Sequence, residues 1–245
     1  MENKTSNYAY QSVIQMDDEQ TMSRKFLANV FLWMFAALAI SSFLAYEFAT
    51  NLDMKSLIID PVTKHRTGLG TIAIFSPLAF VLIISFGINR IAYPILAVLF
   101  VAYAAVTGIS LSGLLLVYTS TSVLAVFGAA SGLFAIMAIA GYTTSTDLTK
   151  FGSLLFLGVI GLIVASLINM FLGSAQFDYI LSFFGVAIFT GLTAYDVQKL
   201  KRIGAGIEHG SADGKKLALI GALSLYLDFV NLFLYLLRIF GSRRN

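Results

Sequence analysis

An aspartate lies in the middle of a long apolar segment, GALSLYLDFVNLFLYLLRIF, at residues 221–240. A carboxylate near the centre of a membrane helix costs about 2.5 to 3.5 kcal/mol on insertion scales, so Asp228 should face protein, water or a ligand and not lipid. Four other polar residues share one helical stripe with it: Ser224, Asn231, Tyr235 and Arg238. The stripe predicts an oxygen-rich face, with Ser224 and Asn231 as candidates for an ion path.

A second aspartate, Asp196, lies in the preceding apolar segment, within GLTAYDVQKLKR. At about 1.5 Å per residue, Asp196 would lie about 6 Å and Asp228 about 10 Å deep from the same membrane side. Tilted neighbouring helices can therefore bring the two carboxyl groups together. Such groups do not both ionise cheaply in a poorly solvated site, so they would share a proton and titrate as one unit. The pair is a candidate pH sensor.

The composition indicates what kind of protein holds these aspartates. The chain has 245 residues, of which 58% are hydrophobic and 12% charged, with a mean hydropathy of +0.84. These values are typical of an integral membrane protein. The lack of cysteine excludes disulfides and thiolate metal sites, and no arginine-rich helix or aromatic RNA motif suggests a nucleic-acid partner. His65 and His209 fall in separate loops, so the available oxygens favour a hard cation such as Ca²⁺, and no bound cofactor is expected.

Seven apolar segments follow a polar, mobile N-terminal tail at residues 1–25. Each is long enough to cross a hydrocarbon core of roughly 30 Å. The segments are 26–50, 69–89, 92–117, 121–142, 151–173, 179–200 and 217–240. Because they lack the period-two alternation of a β-barrel, only helices satisfy the backbone in lipid. The sequence predicts an all-α polytopic membrane protein, with a seven-helix transmembrane domain at 26–241, a short basic C-terminus at 242–245 and surface loops at 51–66 and 201–216.

Basic residues at the segment ends predict the orientation in the bilayer. Nine flank the segments on the side of the N-terminus: Arg24, Lys25, Arg90, Lys150, Lys199, Lys201, Arg202, Lys215 and Lys216. Six lie on the other side: Lys55, Lys64, Arg66, Arg238, Arg243 and Arg244. The bias predicts a cytoplasmic N-terminus. Seven full crossings would leave the basic C-terminus on the opposite side, and a last helix that enters the membrane and returns is the alternative.

Two charged residues at segment ends are further candidates. Arg90 ends the second segment on the side of the aspartates, where it either pairs with Asp196 or serves as a membrane anchor while Asp196 pairs with Lys199. Glu47 lies near the far end of the first segment, where a carboxylate could serve as an ion-entry ligand.

Small residues recur at a spacing of four in the fourth segment, at Gly128 and Gly132. Such patterns let helix backbones approach each other closely. In a polytopic protein they are mostly internal contacts, so we interpret these two glycines as an intramolecular packing face.

Four stretches, TGISLSGLLLVYT, GYTTSTDLTKFG, GLTAYDVQKLK and LSLYLDFVNLFLYLLRIFG, resemble the transmembrane Bax-inhibitor-motif family, particularly its bacterial inner-membrane members. The similarity runs from about Phe26 to Gly241. It implies a seven-helix fold whose last helix is central and wrapped by the other six. It also implies a pH-sensitive calcium leak, in which the sensor matches Asp196 and Asp228, and a basic residue matching Arg90 latches the closed state on Asp196. Some members carry an acid inside the second span, whereas none stands between Pro61 and Asp147 here.

The sequence is compatible with three functions. The first is a passive Ca²⁺ pathway whose flux peaks at intermediate pH, because protonation weakens the Arg90 latch but also removes the charge that attracts Ca²⁺. The second is an interaction protein that regulates a membrane protease or a stress or cell-death response, with the aspartates as polar contacts worth about 0.6 kcal/mol each. An intramembrane aspartyl protease fits less well, because a bulky Leu-Tyr-Leu stretch precedes Asp228 where those enzymes resemble one another in Gly-x-Gly-Asp. No residue is therefore expected to be catalytic.

Overall fold

The computed structural model describes residues 2–88, 90–207 and 211–244, with their side chains from residue 19 onward. These residues form eight α-helices. The helices are α1 (Glu2–Thr50), α2 (Leu52–Ile58), α3 (Gly68–Gly87), α4 (Tyr93–Val117), α5 (Ser120–Thr143), α6 (Thr149–Leu172), α7 (Ala175–Ala205) and α8 (Ala212–Phe240). All but α2 are long and apolar enough to cross a membrane, and no strand is found in the described part of the chain. The prediction of an all-α polytopic membrane protein is confirmed.

Polar and special residues determine where the spans begin and end. Thr67, Thr119 and Ser174 each accept a hydrogen bond from the backbone N–H three residues into α3, α5 and α7. These caps satisfy donors that have no partner within the helix and that lipid cannot satisfy. Pro94 lies in the first turn of α4, where its missing N–H costs nothing. Gly173 ends α6 with φ at 64°, a left-handed conformation that glycine adopts without steric cost.

The last helix is the centre of the bundle. Of the 18 most apolar consecutive residues of α8, 67% are buried inside the bundle, whereas the corresponding share in α6 is 6%. Four spans, α1, α4, α5 and α7, pack against α8, while α3 packs on α4 and α6 packs on α7. The prediction of a central last helix is confirmed. The other six spans surround it in two layers, with α3 and α6 outside the four that contact α8.

Contacts at the two ends of the bundle show that α8 crosses it completely. On one side, hereafter the N-terminal side, the Ser23 hydroxyl of α1 donates to the Lys201 carbonyl oxygen of α7 at 2.8 Å. On the opposite side, hereafter the C-terminal side, Thr119 N between α4 and α5 donates to Ser242 O beyond α8 at 3.0 Å. A last helix that enters and returns is therefore excluded, and the basic C-terminus lies on the side opposite Ser23.

The structure differs from the sequence prediction around the first span. Residues 1–25 were predicted as a mobile tail, yet α1 begins at Glu2, and its candidate span begins at Glu19. Contacts with α7 explain why α1 is already helical before residue 26. Ser23 is only 4% exposed, and Phe26 packs on Gly204 of α7. These contacts order a segment that is too polar for its helix to be recognised from hydrophobicity.

Both predicted loops are shorter than the sequence suggested. Asn51 caps α2 within the 51–66 loop by accepting a hydrogen bond from Asp53 N at 3.0 Å. In the 201–216 loop, α7 continues to Ala205 and α8 already begins at Ala212. His209 of this loop lies outside the described residues.

Candidate functional site

Close packing between α7 and α8 positions the two aspartates. Gly185 of α7 lies against the ring of Tyr235, and Gly221 of α8 lies against the side chain of Leu200. A Cβ atom at either glycine would overlap its neighbour, so both contacts depend on the absence of a side chain. The first contact lies on the C-terminal side of the aspartates and the second on their N-terminal side. The two helices are therefore held together on both sides of the site.

The carboxyl groups of Asp196 and Asp228 lie beside each other between these two contacts. Asp228 is 5% exposed, while Asp196 is half-buried. Each carboxyl is within interaction range of the other, and the Ser224 hydroxyl lies beside Asp196. Among the described residues, the Oδ2 atom of Asp228 is buried without a hydrogen-bond partner. The arrangement can hold a proton between two carboxyl groups or present oxygens to a cation.

The two aspartates offer few ligands for a bound metal ion. Ca²⁺ takes about six to eight oxygen ligands. No group of three or more His, Cys, Asp or Glu side chains that could hold a metal occurs in the described part of the chain. The two carboxyl groups and the hydroxyl of Ser224 therefore suit a hard cation in passage better than a resident one.

The remaining polar residues of the α8 stripe are engaged in helix contacts. The Asn231 side chain donates to Leu227 O of its own helix at 2.8 Å. Arg238 forms an ion pair with Asp178 of α7 at 2.9 Å. The stripe thus faces α7 along its length. A role for Asn231 or Ser224 in an ion path stays a prediction.

The structure does not bring Glu47 or Arg90 to the aspartates. Glu47 is half-buried in the last turn of α1 on the C-terminal side, whereas Asp196 lies about 14 Å from the opposite end of α7 by helical rise. Arg90 is exposed in the turn after α3 and forms no ion pair with any acid of the described residues. Lys199, one turn further along α7, is the basic residue nearest in sequence to Asp196, but the two form no ion pair. The Arg90 latch is thus not formed in this structure, and its role stays a prediction.

A polar clamp near the site was missed by the sequence reasoning. Gln198 is 5% exposed, donates from Nε2 to Thr146 O at 2.8 Å and accepts from Leu148 N at 2.9 Å. Arg202 adds an ion pair with Asp147 at 2.8 Å. Together they fix the α5–α6 loop to α7 next to the aspartate site. The sequence feature that could have revealed this clamp is an uncharged amide within a membrane-spanning helix. Such a group rarely lacks a hydrogen-bond partner when it is buried.

The carboxylate of Asp147 stays charged over the physiological range. Hydrogen bonds from the Thr149 side chain and backbone, and then from Arg202, lower the pKa of Asp147 to about 2. Because the pKa is lowered on folding, the stabilisation is complete above the ordinary value of about 3.9 and disappears as the pH falls through about 2. Asp147 therefore does not titrate between pH 5 and 8, and it can serve as a control for pH sensing.

Gln198→Leu is expected to lower the thermal unfolding midpoint. The substitution removes both hydrogen bonds of the buried Gln198 amide, and a typical intramolecular hydrogen bond contributes about 0.5 to 1.5 kcal/mol. Thermal unfolding of the detergent-solubilised protein at pH 7 measures this change. Lys199→Gln, at the exposed neighbouring position, is the matched control. Equal losses in the two variants would contradict the clamp.

A second hydroxyl cluster lies on the opposite face of α8. Tyr226 is fully buried, and its hydroxyl lies 2.7 Å from Ser41 Oγ of α1. Ser41 Oγ also donates to Ala104 O of α4 at 2.7 Å, which leaves the Tyr226 hydroxyl as the donor to Ser41. These bonds join three spans at one level. They fix α8 on the side that faces away from the aspartates.

Comparison with known proteins identifies the family to which this chain belongs. Residues 23–245 match the family described as inhibitor of apoptosis-promoting Bax1. The inner membrane protein YbhL of Escherichia coli K12 is 40% identical over 220 residues, which cover 89% of this chain and 92% of that protein. A protein of Borreliella burgdorferi is 41% identical over 231 residues, covering 94% and 97% of the two chains. The chain therefore belongs to the Bax inhibitor family, in agreement with the resemblance of its four sequence stretches to that family.

Proposed function

We propose that this protein is a pH-sensitive passive pathway for Ca²⁺ in which Asp196 and Asp228 share a proton and act as the sensor. The observation that carries the proposal is the buried Asp228 carboxyl, with Oδ2 lacking a hydrogen-bond partner among the described residues, beside a second carboxyl group. Two such groups in a poorly solvated site are costly to ionise together, so they exchange one proton as a unit. The proposal assigns no catalytic residue.

The charge of the pair couples proton binding to cation passage. With both carboxyl groups ionised, the site attracts Ca²⁺ but also attracts nearby basic side chains, such as Lys199 one turn from Asp196. A proton on the pair weakens this attraction and favours opening, whereas full protonation removes the charge that attracts the cation. Flux is therefore expected to reach its maximum at an intermediate pH.

We further propose that the protein lies in a bacterial inner membrane with its N-terminus in the cytoplasm. The excess of lysine and arginine on the N-terminal side supports this orientation. The E. coli relative YbhL is named as an inner membrane protein, which supports the location. Fusion of a reporter that is active only in the cytoplasm to the C-terminus tests the orientation, and an active fusion would contradict it.

The sensor is tested by Ca²⁺ uptake into proteoliposomes of purified protein, scanned from pH 5 to 8. In Asp196→Asn, the ratio between the highest and lowest flux is expected to fall to about one, because the shared proton is lost. Asp147→Asn is the control and is expected to keep the wild-type profile, since Asp147 stays charged throughout this range. A wild-type profile in Asp196→Asn would show that Asp196 is not part of the sensor.

A further inference from the structure

An apolar groove runs between α1 and α5, with α8 as its floor. It consists of two cavities of about 600 Å³ and about 270 Å³. The cavities share Leu38, Ser42, Phe127 and Phe229 and are therefore adjoining. Together they have the size of an ordinary ligand pocket, roughly 300 to 1,000 Å³. Because the groove opens on the side of a membrane-spanning bundle, an elongated apolar ligand fits it best.

A lysine of α7 lies beyond the N-terminal end of the groove, where it contacts both of the helices that form the groove walls. The carbonyl oxygen of Lys201 accepts the Ser23 hydroxyl of α1 at 2.8 Å, and its ammonium donates to Tyr142 O of α5 at 2.8 Å. The same ammonium lies 4.7 Å from the centre of the Tyr142 ring. α1 and α5 thus converge on Lys201. This convergence places a positive charge just beyond the N-terminal end of the groove.

A second cation continues the wall of the groove. Arg24, Ala28, Phe31 and Phe35 follow one another at i, i+4, i+7 and i+11 on α1, and the two phenylalanines line the groove. Arg24 is exposed and follows Ser23, which contacts the Lys201 backbone. Neither Arg24 nor Lys201 forms an ion pair with an acidic residue within 19–88, 90–207 and 211–244. The end of an apolar groove therefore carries two cations that are available to an anion.

We propose that this groove binds one anionic phospholipid from the leaflet on the N-terminal side. An acyl chain would lie along α8 between α1 and α5, and the phosphate would lie at Arg24 and Lys201. The apolar lining matches the chain, and the paired cations match a headgroup with a net negative charge. A zwitterionic lipid carries its own cation, which Arg24 and Lys201 repel, so the site is expected to discriminate between headgroups.

Quenching of tryptophan fluorescence by brominated lipids tests the site. The chain has a single tryptophan, Trp33, which packs edge-on against Phe100, and Trp33→Phe removes this signal. In that background, Phe31→Trp, at a half-buried position of the cavity lining, reports on the groove. Phe156→Trp reports on ordinary lipid contact, since Phe156 is 64% exposed on α6. Each protein is reconstituted in phosphatidylcholine vesicles that contain increasing fractions of brominated phosphatidylglycerol or brominated phosphatidylcholine.

The groove tryptophan is expected to be quenched at lower fractions of brominated phosphatidylglycerol than of brominated phosphatidylcholine, with no such preference at position 156. Arg24→Gln should reduce the preference about fivefold, the effect of one cation near a lipid surface. Lys25→Gln removes an equal charge at the same depth from another helix face and should leave the preference unchanged. Lys201→Arg should retain it. Equal quenching by both lipids in the groove, or equal losses in Arg24→Gln and Lys25→Gln, would overturn the proposal.

Discussion

Asp228→Asn is expected to bring the ratio between the highest and the lowest Ca²⁺ flux from pH 5 to 8 to about one, because an amide neither binds nor releases a proton in this range. Ca²⁺ uptake into proteoliposomes measures the ratio. The same change should raise the thermal unfolding midpoint at pH 8, since it replaces a buried carboxyl whose Oδ2 lacks a partner among the described residues. Loss of the pH response together with a gain in stability is the combination that a buried sensor predicts.

The control for this variant is Asp178→Asn. Asp178 also lies between α7 and α8, but its side chain is 40% exposed and pairs with Arg238 near the C-terminal side. Its replacement changes the protein charge equally without altering the buried pair, so the flux profile should keep its wild-type shape. If Asp228→Asn keeps the wild-type pH profile, Asp228 is not the sensor.

Gly141→Val is expected to be strongly destabilising. A Cβ atom at position 141 of α5 would overlap the backbone oxygen of Ala194, which lies two residues before Asp196 on α7. Overpacking costs about 1 to 3 kcal/mol, and more where the obstacle is backbone that cannot rotate away. Thermal unfolding in detergent measures the loss. Because Ala194 is so close to the site, the same variant should also reduce Ca²⁺ flux.

Gly128→Val on the same helix is the matched control. No other atom lies within 4 Å of a Cβ built at Gly128, so the change in stability should stay within about 0.5 kcal/mol. If both valine variants are equally tolerated, the α5–α7 contact at Gly141 is not as close as the structure indicates.

This comparison also shows where sequence reasoning about α5 was wrong. Gly128 and Gly132 were interpreted as an internal packing face, but both lie on the outer surface with open space around them. The buried face of α5 instead carries Val126, Ala130, Phe134, Ala138 and Gly141. Two small residues four apart show that a close approach is possible on one face. They do not show which face meets a neighbour, because the surrounding residues of an all-apolar helix give no amphipathic signal.

The spans and the inward orientation of Asp228 could be predicted because both follow from the free energy of placing individual residues in the bilayer. A segment of about 20 apolar residues suffices to cross the bilayer, and a carboxylate in its middle must avoid lipid. Those arguments need no knowledge of the neighbouring helices. They placed the seven spans and the central aspartate correctly.

Features that depend on which helices touch could not be predicted in this way. Gln198 holds a loop about 50 residues away, and Lys201 joins α1 to α5 through one carbonyl and one ammonium group. Arg90 lies on the expected side of the bundle but makes no contact with Asp196. Each outcome depends on helix tilt and rotation, which a uniformly apolar sequence leaves undetermined.

Ca²⁺ flux into proteoliposomes that contain only the purified wild-type protein tests the central claim most directly. Scanned from pH 5 to 8 beside protein-free liposomes, the protein is expected to give a flux above background with a maximum at an intermediate pH. Flux equal to that of protein-free liposomes at every pH would contradict the account. In that case the aspartates would be internal polar contacts, and the function would lie in the regulation of a membrane partner.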